Sequence, residues 1–232
     1  TGADRVFIRR IEDFPLEQSS KKTSLLPLFR SGSCKLPPTE IPDRYLLSVY
    51  EPGTKRLLSF EELPTDVQEY LLSHKSKLEE RYIVKEQGKE WWRTIDSFDP
   101  ALIYSGKVLI PDLQRGAAVK VDQGELMPAH TVLYAAAEPE ILPKLARLIK
   151  SPVADLFRFW NAPSMRNGTP RASLRVLSRL PCPDLVELDG IKREPDDFAD
   201  VYHAYRLRPA EVRAIENAHL QAFGSLNLGG GS

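Results

Sequence analysis

The chain has 232 residues, 42% of them hydrophobic and 28% charged, with 32 bases against 32 acids. That composition suits one sizeable core with a small appendage and excludes a disordered polar chain. No apolar run approaches the ~18 residues of a membrane span, and no basic-then-apolar leader opens the sequence. With two cysteines, Cys34 and Cys182, a disulfide framework is excluded and free thiols in a reducing cytoplasm are expected.

The first residue is not Met, and the chain reaches a strand-like run, Val6-Phe7-Ile8, almost at once. The far end closes on Gly229-Gly230-Gly231-Ser232. Both ends read as boundaries of a fragment of something longer. Residues 5 to 11 alternate as a strand does, and residues 18 to 42, rich in Ser, Lys and Pro, form a loop around the apolar anchor 25 to 29. Residues 45 to 50 predict a buried strand ended by Glu51-Pro52-Gly53. A helix follows, with Thr65 and Gln68 as its capping box. Leu63, Val67, Tyr70, Leu71, His74, Leu78 and Tyr82 fall on one helical face, which makes His74 a packed residue rather than a ligand.

After Trp91-Trp92-Arg93, short β-like runs occupy 102 to 104, 107 to 110, 117 to 121 and 131 to 137. Helices are predicted over 140 to 150 and 152 to 160, the second capped by Ser151 with Pro152 in the first position. The loop 161 to 170 leads into 174 to 180, which Pro181-Cys182-Pro183 stops. A last helix over 209 to 223 carries Val212, Ile215, His219 and Phe223 on one face. The expected class is α+β: one domain of short mixed strands and packed helices over 1–183, then an acidic helical tail over 184–232 with a Gly-rich end.

Balanced net charge hides an uneven distribution. From residue 141 to 182, eight bases stand against a single acid, Asp155, a net of +7. From 183 onward nine acids stand against five bases, a net of −4. A phosphate backbone is one partner that fits the basic block, and an ordinary solvated face is the other explanation.

No catalytic motif is present. The histidines, His74, His130, His203 and His219, lack zinc-ligand spacing. There is no Gly-rich phosphate loop, no dinucleotide fingerprint and no nucleophile elbow. Pro111-Asp112 and Pro183-Asp184 lack the acid-x-Lys half of a metal nuclease motif. Trp91 and Trp92 offer faces that stack bases, although filling a core is the commoner use of such rings. The segment from Asn161 to Arg171 sets two arginines and two asparagines on a backbone bent by Gly and Pro. Arginine grips a guanine edge and asparagine an adenine edge, each through two hydrogen bonds; an exposed polar loop is the plainer alternative.

The order of landmarks resembles one family. Thr1-Gly2 with Phe7-Ile8, then Leu26-Pro27-Leu28-Phe29-Arg30 and Arg44-Tyr45-Leu46-Leu47, are similar to the segments that follow the catalytic domain in fused restriction–methylation enzymes. Trp91-Trp92-Arg93, Lys107 to Asp112, Thr131 to Tyr134 and Leu180-Pro181-Cys182-Pro183 continue the succession. Over residues 1 to 183 the chain thus resembles the C-terminal specificity domain of gamma-class adenine-N6 DNA methyltransferases.

The resemblance implies a bacterial DNA-recognition module without chemistry of its own. The family's Asn/Asp-Pro-Pro-Tyr/Phe motif and glycine motif do not occur here. S-adenosylmethionine therefore belongs to an absent upstream methyltransferase domain, and this chain takes no cofactor and no metal. The implied partners are double-stranded DNA and that upstream domain, with no membrane. Arg166, Asn167, Arg171 and Arg93 are the candidate base contacts. Lys107, Arg115, Lys120 and Arg175 are the candidate phosphate contacts. A protein-docking module using the acidic tail, and a single-strand or RNA binder using the indoles, are the other classes the sequence allows.

Overall fold

A computed structural model gives the fold for residues 3–30, 42–95, 101–112, 119–165, 170–188 and 197–224. The chain divides into two compact units. One gathers Thr1–Phe29, Thr39–Ser105 and Gly124–Met127; the other gathers Arg30–Pro38, Gly106–Gln123 and Pro128–Ser232. Both mix helix and strand, so the α+β class holds. The boundary expected at 183/184 falls inside the second unit.

In the first unit the opening residues form a short helix, α1 (Asp4–Phe7), before strand β1 (Ile8–Arg9), where the alternation of residues 5 to 11 predicts strand throughout. Helix α2 (Gln18–Ser24) runs straight into β2 (Leu25–Phe29), which pairs antiparallel with β3 (Tyr45–Leu47) at Leu25↔Leu47 and Leu26↔Leu46. On its other side β3 pairs with β1 at Ile8↔Leu46. Phe7, Phe29, Leu47, Leu71 and Leu78 are fully buried, each stabilising the fold by roughly 1.5–3 kcal/mol.

The helix predicted from Thr65 is three short ones, α3 (Thr65–Leu72), α4 (Lys75–Glu79) and α5 (Tyr82–Lys85). The first break follows from side-chain competition for the ladder: Ser73 Oγ donates to the Tyr70 carbonyl at 2.7 Å. At the second break Arg81 Nε donates to the Leu78 carbonyl at 3.0 Å. The expected Thr65–Gln68 box does not form. Gln68 instead donates its amide to the Leu63 carbonyl at 2.7 Å. The capping box lies upstream, where the Glu62 carboxylate accepts from the Ser59 backbone N–H at 2.8 Å. Arg56 first, and then that N–H, hold the Glu62 carboxyl down at about 2. His74 packs as expected, its ring 4.7 Å from that of Tyr70.

Residues 102 to 104, read as strand, belong to helix α6 (Ala101–Tyr104). Its end explains Gly124, whose φ is +105° and whose added Cβ would stand 2.6 Å from the Tyr104 carbonyl oxygen. Neither atom of that contact is the tip of a flexible side chain. Gly124→Ala is therefore expected to destabilise the protein by about 1–3 kcal/mol, measured as a lowered urea midpoint at unchanged m-value.

The second unit is built on strands β4 (Lys107–Pro111), β5 (Lys120–Asp122) and β7 (Val132–Ala136), in the order β5-β4-β7, whereas β6 (Met127–Pro128), which falls between β5 and β7 in the chain, belongs to the four-stranded sheet β1-β3-β2-β6. Both pairings are antiparallel. Helix α7 (Leu142–Lys150) covers one face of this sheet through Leu142, Ala146 and Ile149, which meet Val108 and Ile110. That spacing is one helical stripe against alternate strand positions. On another side of α7, Leu148 packs with Leu188, Val201 and Ala204, the latter two from α10 (Ala199–Ala204). The tail from 184 is thus part of this unit's core, so far as it is described.

Ser151 caps α8 (Pro152–Asn161) as its sequence predicts, accepting from the Ala154 N–H at 3.3 Å. The last helix, α11 (Pro209–Phe223), lies along α8, with the Phe159 and Phe223 rings 5.6 Å apart. His219 Nε2 sits 3.0 Å from Asp155 Oδ2.

Candidate nucleic-acid interface

Four of the eight candidate contacts lie in the described part of the second unit, and their settings differ. Lys107 opens β4, and pairing register places it opposite Asp122 of β5. Its side chain is completely buried and ion-paired with the Asp122 carboxylate. The expected phosphate contact is therefore corrected: an ammonium enclosed beside a buried carboxylate does not reach a DNA backbone. Lys120, two residues before Asp122, is half-buried on the edge strand β5, where it faces Leu109 across the ladder.

Arg171 and Arg175 are exposed. The first closes the loop that begins at Asn161. Its N–H donates to the Pro163 carbonyl at 3.0 Å, and Ser164 bridges Pro170 in antiparallel fashion. The next residue ties the loop to the sheet, the Ala172 N–H donating to the Asp112 carbonyl at 2.7 Å. Arg171 Nε lies 3.4 Å from Asp112 Oδ2. Arg175 stands on the short helix α9 (Leu174–Leu177), which Ser173 caps through the Val176 N–H at 3.3 Å. Arg166, Asn167 and Arg115 lie outside the described residues.

Arg93 belongs to the first unit. Its side chain is 19% exposed and lies 3.6 Å from Glu90, with Nε donating to the Thr94 carbonyl at 3.3 Å. Trp91 and Trp92 take the packing alternative. Their rings stand 5.9 Å apart, both lean on Phe60, and Trp92 Nε1 donates to the Leu58 carbonyl at 3.1 Å. A different indole is open: Trp160 is 66% exposed at the end of α8, just before the loop. Its place one residue short of a polar segment at the end of an amphipathic run is the signal that marks it.

The basic block is partly neutralised from within. Arg147 donates to Asp200 at 2.6 and 2.7 Å and also bonds the Asp197 carbonyl, so the acidic tail answers the basic segment directly. Arg158 is buried and paired with Asp155. Lys150, Arg171, Arg175 and Arg179 are the cations of the block that remain exposed among the described residues. Among those residues no group of three or more His, Cys, Asp or Glu is placed to hold a metal, and no helix is long and apolar enough to cross a membrane.

No family model matches the chain. Its curated relatives are consistent in kind. The type II methyltransferase M.XhoI of Xanthomonas vasicola is 29% identical over 185 residues, covering 79% of this chain and 32% of its own length. M.PaeR7I of Pseudomonas aeruginosa is 28% identical over 196 residues, 84% of this chain and 33% of its own. M.BstVI of Geobacillus stearothermophilus is 24% identical over 229 residues, 94% of this chain and 40% of its own. The chain is thus related in sequence to type II methyltransferases, and spans between about a third and two fifths of their length. A solved type IIL restriction–modification enzyme, MmeI in complex with DNA, covers 100% of this chain and 32% of its own at 13% identity. Its TM-score of 0.49 is a likeness below the level that establishes a shared fold.

Proposed function

We propose that this chain is the DNA-sequence-recognition part of a site-specific adenine-N6 DNA methyltransferase of a restriction–modification system. The observation that carries the reading is its similarity to three type II methyltransferases along 79–94% of its own length, in a sequence with no methyl-transfer motif. The remainder of such a protein would hold S-adenosylmethionine and the flipped adenine, since the target atom is out of reach inside a stacked duplex. This chain would form the other wall of the DNA cleft and choose the site. Lys120, Arg115 and Arg175 would touch phosphates. Arg171, with Arg166 and Asn167, would touch base edges.

The exposed cations Lys150, Arg171, Arg175 and Arg179 support a salt-dependent contact. With Arg171 kept for a base edge, the other three each add about −0.9 to the log–log salt slope on neutralising a phosphate, so affinity falls roughly 40-fold between about 50 and 200 mM salt. With a single wall of the cleft, affinity of about micromolar or weaker is expected. A mobility-shift series with duplex and single-stranded DNA at both salt levels tests this. Binding indifferent to ionic strength, or a preference for single strands, would sink the proposal. Calorimetric titration with S-adenosylmethionine is expected to give no binding heat, and methyl incorporation by this chain alone would refute the assignment of chemistry to another domain.

A further inference from the structure

We propose that Asp112 is a positioning residue that holds the Arg171 guanidinium for a two-bond contact to a guanine edge, so that choice at one G·C pair depends on both side chains. This inference rests on the reading of the second unit as a DNA-recognition surface.

Asp112 follows directly on β4 and is anchored at both backbone groups. Its N–H donates to the Thr131 carbonyl at 2.9 Å, and its carbonyl accepts the Ala172 N–H at 2.7 Å. The residue next to Arg171 is thereby tied to Asp112, and Arg171 itself is tied to Pro163. Two points on the backbone thus fix where the arginine starts.

The carboxylate is buried, its side chain 8% exposed, whereas the Arg171 side chain is 56% exposed. One oxygen, Oδ2, lies 3.4 Å from Arg171 Nε. The other, Oδ1, is buried with no hydrogen-bond partner among the described residues. A buried carboxylate oxygen left unpaired is costly, and a guanidinium is a planar fork that offers two parallel donors to a carboxylate. With Nε and Nη2 turned onto the two oxygens, Arg171 would pair with both. Nη1 and the second N–H of Nη2 then point away from the carboxylate, along the edge that matches guanine O6 and N7. The buried acid thus orients the fork before DNA arrives, and less side-chain freedom is lost on binding.

Selection from a randomised duplex library by the full chain, with sequencing of the bound fraction, tests the inference. The wild type is expected to prefer a guanine at one position. Arg171→Ala loses that preference by on the order of 5- to 150-fold. Asp112→Asn keeps the shape and both backbone bonds, and weakens the same position by about tenfold. The double variant is no worse than Arg171→Ala alone, because the acid acts through the arginine. If Asp112→Asn does not fold, Asp112→Ser, which also drops the carboxylate while keeping both backbone bonds, must weaken the same position and no other. An Asp112→Asn protein that binds all sequences more weakly by one factor, or that alters a different base pair, overturns the positioning role while leaving DNA recognition standing. A wild type that binds duplex with no sequence preference overturns recognition itself, and the Asp112 role with it.

Discussion

Replacing Lys107 by alanine is expected to destabilise the second unit by about 3–5 kcal/mol. The ammonium and the Asp122 carboxylate are 0% and 2% exposed. Truncating the lysine leaves a carboxylate enclosed in a strand pair without the cation opposite it, and opens space beside Leu109 on the same strand. The loss is of the kind that follows removal of one partner from a buried pair, not the small change seen at exposed ion pairs. Removing both charges has the opposite logic. Lys107→Met with Asp122→Leu, two apolar side chains of similar size in the same register, should recover most of the stability, because neither charge is then desolvated. Urea midpoints of the two variants decide the matter. A Lys107→Ala protein as stable as the wild type, with DNA affinity lowered instead, would return Lys107 to the phosphate-contacting set.

The second large effect concerns the division of labour between base and phosphate contacts within the proposed parent methyltransferase. Arg166→Ala is expected to change which sites are methylated, since one two-bond arginine–guanine contact discriminates by roughly 1–3 kcal/mol, about 5- to 150-fold. Lys120→Ala is expected to weaken all sequences alike and to lower the salt slope by about one unit. Its position supports the assignment: it stands half-buried on an edge strand of the sheet whose central strand leads to Asp112. Methylation of a library of near-cognate sites at two salt concentrations separates the two behaviours. A uniform loss with Arg166→Ala, alongside relaxed choice with Lys120→Ala, would reverse the assignments. Unchanged behaviour in both would move the reading surface to other loops.

Elements whose signals are local and periodic are legible in the chain alone. Ser151 followed by Pro152 starts α8, the helix predicted over 140 to 150 holds α7, and the Lys107–Ile110 run lies in β4. The same holds for α11, begun by Pro209. Such signals survive because caps and helical stripes are set by residues within about four positions. Where two local solutions compete, the sequence is ambiguous: Thr65–Gln68 and Ser59–Glu62 both spell a capping box, and only the second forms. The roles of the charges were decided by tertiary structure. Lys107 reads as a surface cation until strand register sets Asp122 opposite it. Arg147 reads as part of a basic face until α10 brings Asp200 to it from 53 residues away. Asp112 reads as half of an absent nuclease motif until the returning loop lays Arg171 beside it. A charge acquires its role from the partner and the burial that folding supplies, and neither leaves a periodic mark in the chain.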